Sequence, residues 1–503
     1  MAVLGVLAAL AAGGVRAAVA HAYVFRMSVT GSVITQPLAD DFLGLALEYN
    51  TIPEWVGSGS QPVNPVLVQL IRNLDPVGRP VLRIGGQSTD RSWWPVPGTS
   101  RPLGVTYDLG SSWTASARAL AQATDAELLV GLNLEADRPR IDQVEGTQLV
   151  NGIGRRYIEA LEIGNEPDLY ALIPWYRRLD GRFLPWYSTQ GTPVYARGPG
   201  YGPAEYAAEL ARVLKVVPRL PIAGPETGTG PWLEAFRPFL SPGSRVRLLT
   251  SHAYGLNQCV TDPSSPAYPS VPHLLSLPAS RGLLEGVPPF VTLAHEDGAR
   301  YRIDEVGPIS CNGRAGVSNT MASALWVMDT LFSIAADNID GVNLHTYPDS
   351  VNGLFDFSRA QGQWESTVHP LYYGALMFAT AAPAGSRLLQ IGTDSQDRLR
   401  AWATLGADHR VRVLLINDAL RSKAEVLVHA PPGFGSDAGS IERLLAPGAY
   451  ATTGMTLGGQ DFGATTSTGI LPSPALETVT PRADTYELTL PASSAALLTL
   501  ESG

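Results

Sequence analysis

The sequence predicts an α/β protein: a (β/α)8 TIM barrel followed by a C-terminal antiparallel β-sandwich domain. Three observations carry this reading. From about residue 40 to 380, eight short apolar runs alternate with stretches of helical period, the pattern of parallel βα units. After about residue 383 the texture changes to short alternating strands separated by Gly, Pro, Asp and Ser turns. The chain has 503 residues, 45% hydrophobic and only 16% charged, enough for one barrel and a smaller module with well-filled cores.

Taken in order, residues 1–22 read as a signal peptide. The apolar run MAVLGVLAALAAGG is followed by small-residue patterns at Ala18-Val19-Ala20 and Ala20-His21-Ala22, although no basic residue precedes the run. The run is too short to span a bilayer, and no later run of about 18 apolar residues follows, so a secreted protein with no membrane contact beyond a cleaved segment is expected. Residues 23–36 contain a strand, YVFRMSVTG, with no helix after it; it is expected to join the sandwich. The barrel is expected over 37–382, with strands at 42–49, 81–86, 127–134, 157–164, 220–224, 246–254, 300–306 and 341–347. Helical stretches lie between them, for example 115–124, 204–217, 232–240 and 320–336, and a last helix falls near 371–380. The sandwich is expected over 383–503, from segments such as RLLQIGT, LRAWATL, RVRVLLIN, AEVLVHA, TYELTLP and AALLTLE.

Composition narrows the chemistry. The net charge is −10, the only lysines are Lys215 and Lys423, and no basic stripe exists, so nucleic acid is not an expected partner. No phosphate-binding P-loop, dinucleotide fingerprint, G-x-S-x-G elbow or H-E-x-x-H pair occurs, and no Cys/His spacing suits zinc; neither cofactor nor metal is expected.

In such a barrel, functional groups gather at the C-terminal ends of the strands. The polar residues there are Glu48, Asp90, Asn133, Asn165, Glu166, Glu226, His252, Tyr254, Asp304, Glu305, His345 and Tyr347. Glu166 ends strand four in EIGNEP, and Glu305 ends strand seven in RIDEVG. Two carboxylates facing a substrate are what glycosidic cleavage needs, one to protonate the leaving oxygen and one to attack the anomeric carbon. Asn165 would offer an amide to the sugar 2-hydroxyl, Tyr254 could donate to Glu305, and His252 reads as a hydrogen-bonded pocket residue. A lone glutamate at a strand end is commonly only a cap; both together, one within Asn-Glu-Pro, are hard to assign to chance.

The segments LGLALEYN (43–50), RIGGQSTDRSWW (83–94), EIGNEPDLY (162–170), SHAY (251–254) and YRIDEVGPISCNG (301–313) resemble glycoside hydrolase family 79, the family of β-glucuronidases and heparanases. The resemblance implies that Glu166 is the acid/base and Glu305 the nucleophile of a retaining exo-β-glucuronidase. It further implies that Glu48 and Asp90 bind sugar hydroxyls and that Tyr347 helps hold the C6 carboxylate of a β-glucuronide. The loop after the nucleophile reads Pro308 to Asn312, without the tyrosine that some members place there; Ser310, Asn312 and backbone N–H groups are the donors it offers instead. Cys259 and Cys311 follow adjacent strands, so they form either a disulfide tying two active-site loops or two unrelated thiols. The long loop from Pro167 to about Pro203 carries eight aromatic residues, which either wall a leaving-group subsite or pack the loop down. The rival readings are an endo-acting heparanase, a glycosidase for a neutral sugar and a non-catalytic carbohydrate-binding protein on the same fold.

Overall fold

The structure is a computed structural model that describes residues 23–59, 62–228, 230–241, 243–394 and 399–502; the expected signal peptide lies outside the described residues. Eight parallel strands, numbered one to eight in chain order, close into a barrel: Leu43–Glu48, Val81–Gly85, Glu127–Leu132, Ile158–Ile163, Ile222–Thr227, Val246–Asn257, Arg300–Ser310 and Gly341–Thr346. Strands one, two, five and eight are buried along their whole length, the mark of a parallel sheet covered on both faces.

The helices follow their local signals. Pro65–Leu74 begins where Asn64 accepts hydrogen bonds from the backbone N–H groups of Val66 and Leu67, with proline in its first turn. Met321–Ala336 is buried on every side because it lies between the barrel and the C-terminal domain: Phe332 stacks on Trp402 at 5.4 Å, and Trp402 Nε1 donates to Asp329. The expected helix at 204–217 is shorter, Pro203–Val213, and that at 232–240 is a 3-10 helix over Gly230–Phe239, which carries Pro238 inside it.

The C-terminal domain is one ten-stranded sheet folded over a single apolar core, in which Leu488 and Val426 meet Val413 and Leu498. The strand Tyr23–Val33 belongs to this sheet. It pairs antiparallel with Arg387–Thr393 and parallel with Ala424–His429, and it buries Phe25, Met27 and Val29 in the domain core. That parallel pair is the one departure among these pairings from a purely antiparallel sandwich. Among the described residues, no helix is long and apolar enough to cross a membrane.

Candidate active site

Strand ends put the chemistry at one mouth of the barrel. Strands six and seven run on as far as Asn257 and Ser310, well beyond their expected ends, and rise above the other strands as a paired extension. Near its middle, strand seven carries a bulge: Ser251 pairs with Ile303 but His252 with Glu305, and Ile303 pairs with Val342 but Val306 with Leu344. Adjacent residues of a regular strand face opposite sides. The extra residue breaks that alternation, so Asp304 and Glu305 both approach Arg83 inside the barrel.

Arg83, from strand two, is the centre of the site. Its guanidinium donates to Glu162 (Nε, 3.0 Å), Glu305 (Nη1, 2.7 Å) and the carbonyl of Asn165 (Nη2, 2.8 Å), and lies 3.0 Å from Glu226 and 3.5 Å from Asp304. One buried cation thus faces four carboxyls, which cannot all ionise. Burial, reinforced by Glu226, pushes Glu162 up to about 8 and Asp304 well above the carboxylate range. Glu305 goes the other way. Burial opposes its charge, but His345, His252, Arg83 and a hydrogen bond from Tyr254 overcome burial and hold it well below the usual range.

Glu166 sits across from it. Its backbone is left-handed at φ 48°, an uncommon setting for a side chain with a Cβ, and its N–H donates to the carbonyl of Glu226. His252 Nδ1 lies 3.1 Å from Glu166 Oε1 and 3.9 Å from Glu305 Oε1, and the three ligand atoms of this group lie within 4.8 Å of one another. Gln87 Nε2 reaches Glu166 Oε2 at 3.5 Å. The side chain of Glu166 is 16% exposed and that of Glu305 is 7% exposed, so both are open to the mouth but recessed. Tyr254 O–H donates to Glu305 at 2.6 Å and lies 2.9 Å from His345 Nδ1. Asn165 accepts from Arg83 through its carbonyl oxygen, which fixes the amide orientation and leaves its NH2 available as a donor.

The remaining expected residues divide. Glu48 accepts from the backbone N–H groups of Gln87 and Ser88 and from the Ser88 hydroxyl, with His345 Nε2 3.4 Å away, so it is held at the end of strand one beside His345. Gly86 makes this approach possible: its φ is +73°, and a Cβ there would fall into the Glu48 carboxylate. Tyr347 is half-buried with its ring 5.0 Å from that of His345. Asp90 is placed differently from a sugar ligand. One oxygen accepts from the N–H groups of Leu134 and Glu135, the other from Asn165 N–H and Tyr170 O–H, so its four lone pairs are taken and it ties three loops together. Ser310 donates its hydroxyl to Leu256 O, and Asn312 is exposed in a left-handed conformation, so neither side chain is engaged with Glu166 or Glu305. Cys259 and Cys311 form a disulfide that ties the ends of the paired extension, with Cα atoms 6.0 Å apart.

The segment after strand four is an inserted sheet with strands Pro174–Leu179, Arg182–Leu184 and Thr192–Tyr195. Some of its aromatic residues pack it onto the barrel. Tyr170 is buried, and Trp175 Nε1 donates to Asp90 O at 3.0 Å, whereas Tyr187 and Phe183 are exposed at the surface. Trp186 lies under the Arg91 guanidinium at 5.3 Å.

Four contributions were not assigned from the sequence: Arg83, Gln87, His345 and the pairing of Glu226 with Asp304. Arg83 had a signal, a charge inside the apolar run VLRIGG, which a buried parallel strand tolerates only when paired. The Glu226–Asp304 approach had none, because it depends on the bulge. A second group, Glu226, His252 and Asp304, also brings metal-type ligand atoms within 4.8 Å of one another, but the Arg83 guanidinium already stands against its carboxylates.

Known proteins share this architecture. The model of the glycosyl hydrolase family 79 C-terminal beta domain matches residues 401–497. A beta-glucuronidase of Neurospora crassa is 22% identical over 529 residues, covering 87% of this chain and 87% of that protein. Among solved structures, a 4-O-alpha-L-rhamnosyl-beta-D-glucuronidase from Fusarium oxysporum 12S superposes with a TM-score of 0.68 at 18% identity, covering 94% of this chain and 100% of that one. A GH51 arabinofuranosidase from Xanthomonas axonopodis pv. citri gives 0.64 at 14% identity, covering 95% and 100%. The structural likenesses show the shared barrel-and-sheet fold; the sheet-domain match and the full-length relative are narrower. The sheet domain thus matches that of glycoside hydrolase family 79, the chain resembles a β-glucuronidase over most of its length, and it is a glycoside hydrolase.

Proposed function

We propose that the protein is a secreted, retaining exo-β-glucuronidase, with Glu166 as acid/base and Glu305 as nucleophile. The observation that carries this reading is the closeness of the two carboxylates. Facing oxygens of Glu166 and Glu305 lie within 4.8 Å, which fits the roughly 5–5.5 Å of double displacement and not the roughly 6.5–9.5 Å that leaves room for a water. Glu305 is ionised and oriented by Arg83 and Tyr254, as an attacking carboxylate must be. It attacks the anomeric carbon while Glu166 gives its proton to the departing oxygen; Glu166 then takes a proton from the water that cleaves the glycosyl ester and frees glucuronic acid. The amide of Asn165 serves the 2-hydroxyl, a contact that strengthens in the transition state. Tyr347, beside His345, is assigned to the C6 carboxylate, with the backbone N–H groups of the loop from Cys311 to Gly313 as further donors. The recessed position of both carboxylates supports exo action on a chain end. Secretion is supported by the disulfide together with the apolar N-terminal segment.

Glu305→Ala is expected to lower turnover of an aryl β-glucuronide by about 10^4-fold or more, with aryl β-glucoside untouched by the wild-type enzyme. Surviving activity would remove the nucleophile assignment, and preference for the glucoside would remove the glucuronide one. Endo action has one observation in its favour: the inserted sheet carries three arginines, Arg177, Arg178 and Arg182, on two adjacent strands. Depolymerisation of heparan sulfate, followed by chain length, decides between the two modes.

A further inference from the structure

Behind the catalytic pair lies a set of titratable groups that double displacement does not use. Glu226 and Asp304 are fully buried; Glu226 Oε2 is ion-paired with Arg83 at 3.0 Å, whereas both Asp304 oxygens and His252 Nε2 have no ordinary hydrogen-bond partner. His252 Nε2 stands 3.6 Å from Glu226 and 3.8 Å from Asp304, while its Nδ1 stands 3.1 Å from Glu166. The imidazole therefore bridges the acid/base on one edge and a buried carboxyl pair on the other. Buried polar atoms left without partners are costly, and two carboxyls this close do not both ionise. One proton shared between Glu226 and Asp304 resolves both problems and leaves a single negative charge facing Nε2.

We infer that the Glu226–Asp304 pair is the counter-charge that keeps His252 an imidazolium, and that His252 in turn pairs with the Glu166 carboxylate between the two half-reactions. All three are positioning residues. The inference rests on the reading of Glu166 as acid/base. When Glu166 passes its proton to the leaving oxygen as the glycosidic bond breaks, the carboxylate formed finds a cation already 3.1 Å away. That pairing holds until the proton of the attacking water returns to it. The groups that face His252 are Glu166 and Glu162 from strand four and its end, Glu226 from strand five, Asp304 and Glu305 from strand seven, and Arg83 from strand two. Five carboxyls thus stand against one guanidinium, and a second positive charge is favoured among them. Consistently, burial opposes the charge on His252 but Glu305, Glu166 and Glu226 outweigh it, so that its pKa is raised well above the ordinary value. Of the carboxyl pair, burial and Glu226 push Asp304 well up; burial also opposes the charge on Glu226, but Arg83, Asp304 and His252 overcome it and hold Glu226 down at about 2, which is one proton for two groups.

The test uses 15N-histidine-labelled full-length enzyme, with the His252 signals assigned by their loss in His252→Asn. In the wild type, His252 is expected to stay an imidazolium well above the ordinary histidine range of about 6.5. Glu226→Gln and Asp304→Asn each retain one negative charge, so His252 is expected to stay charged in both. In the double variant it is expected to lose its proton at least about one pH unit lower. The alkaline limb of kcat/KM for a glucuronide with a poor leaving group should then move upward, with KM at the optimum unchanged within about twofold. Identical His252 titration in all four proteins overturns the inference, as does a uniform loss of rate with no movement of the limb. If the double variant does not fold, the single variants still decide, since a fall in the His252 titration in either one contradicts a shared single charge. Stoichiometric metal in the purified enzyme overturns it as well. The resonance readout does not depend on turnover: normal activity of Glu166→Gln on poor leaving groups would sink the acid/base reading and leave the His252 result standing.

Discussion

Arg83 shows how much one side chain decides. A buried guanidinium that serves Glu162, Glu305 and Asn165 fixes Glu305 and the Asn165 amide beside Glu166 in a single arrangement, and its loss would strand several buried carboxyls without a counter-charge. Asp90 is the opposite case, a carboxylate that looks like a sugar ligand in the sequence and acts as a tie in the structure. Because its lone pairs are occupied by Leu134, Glu135, Asn165 and Tyr170, Asp90→Asn is expected to act through misplacement of Asn165 and Glu166. The expected result is a fall in kcat of about 10-fold or more with KM nearly constant. Steady-state kinetics on an aryl glucuronide checks this, and a rise in KM at constant kcat would restore direct sugar contact.

At the scale of elements, the paired extension of strands six and seven is the device that carries Tyr254, Glu305 and the loop beyond them. The bulge at its root turns Asp304 inward beside Glu305, and the Cys259–Cys311 disulfide closes its outer end. The bridge spans 52 residues of sequence, for which chain-entropy reasoning gives a stabilisation of about 4 kcal/mol. Cys259→Ser with Cys311→Ser should therefore lower the thermal midpoint, and it should raise KM for the glucuronide, since the loop from Cys311 to Gly313 loses its anchor. Differential scanning calorimetry and kinetics read the two effects separately. An unchanged KM would show that this loop does not hold substrate.

The whole molecule carries an unusual load of buried acid. Burial, aided by neighbouring carboxylates, pushes Glu145 up to about 8, and it pushes Asp142 and Asp418 up to about 7. For each, the folded state binds the proton more tightly than the unfolded state does. Their contribution to stability is thus complete below the ordinary carboxylate range of about 4 and declines as pH rises, until it is gone above about pH 7–8. His252, raised above its ordinary value, acts in the same direction above about pH 6.5. Glu305 and Glu226, held low, act oppositely but only under more acidic conditions. Between about pH 5 and 8 the thermal midpoint is therefore expected to fall; a midpoint that climbs across that range would contradict these protonation states. At the same scale, the strand Tyr23–Val33 ties the two ends of the chain into one sheet, so the C-terminal domain is not a removable appendage.

Local patterns in the sequence were enough to find the eight barrel strands within a few residues, the change to a sheet domain near residue 383, and both glutamates at the barrel mouth. Periodicity and strand-end position are properties of neighbouring residues, and VLRIGG, EIGNEP and RIDEVG carry them openly. What the sequence could not convey is contact across the barrel. That Arg83 serves four carboxyls, that Asp90 is saturated by two other loops, that the segment after strand four folds as a sheet, and that Asp304 turns inward all depend on atoms dozens to hundreds of residues apart. Closure of the barrel and one bulge bring those atoms together. Hydrogen-bond capacity and charge are written in residue types; which partner takes them is settled only when the strands close and water is excluded.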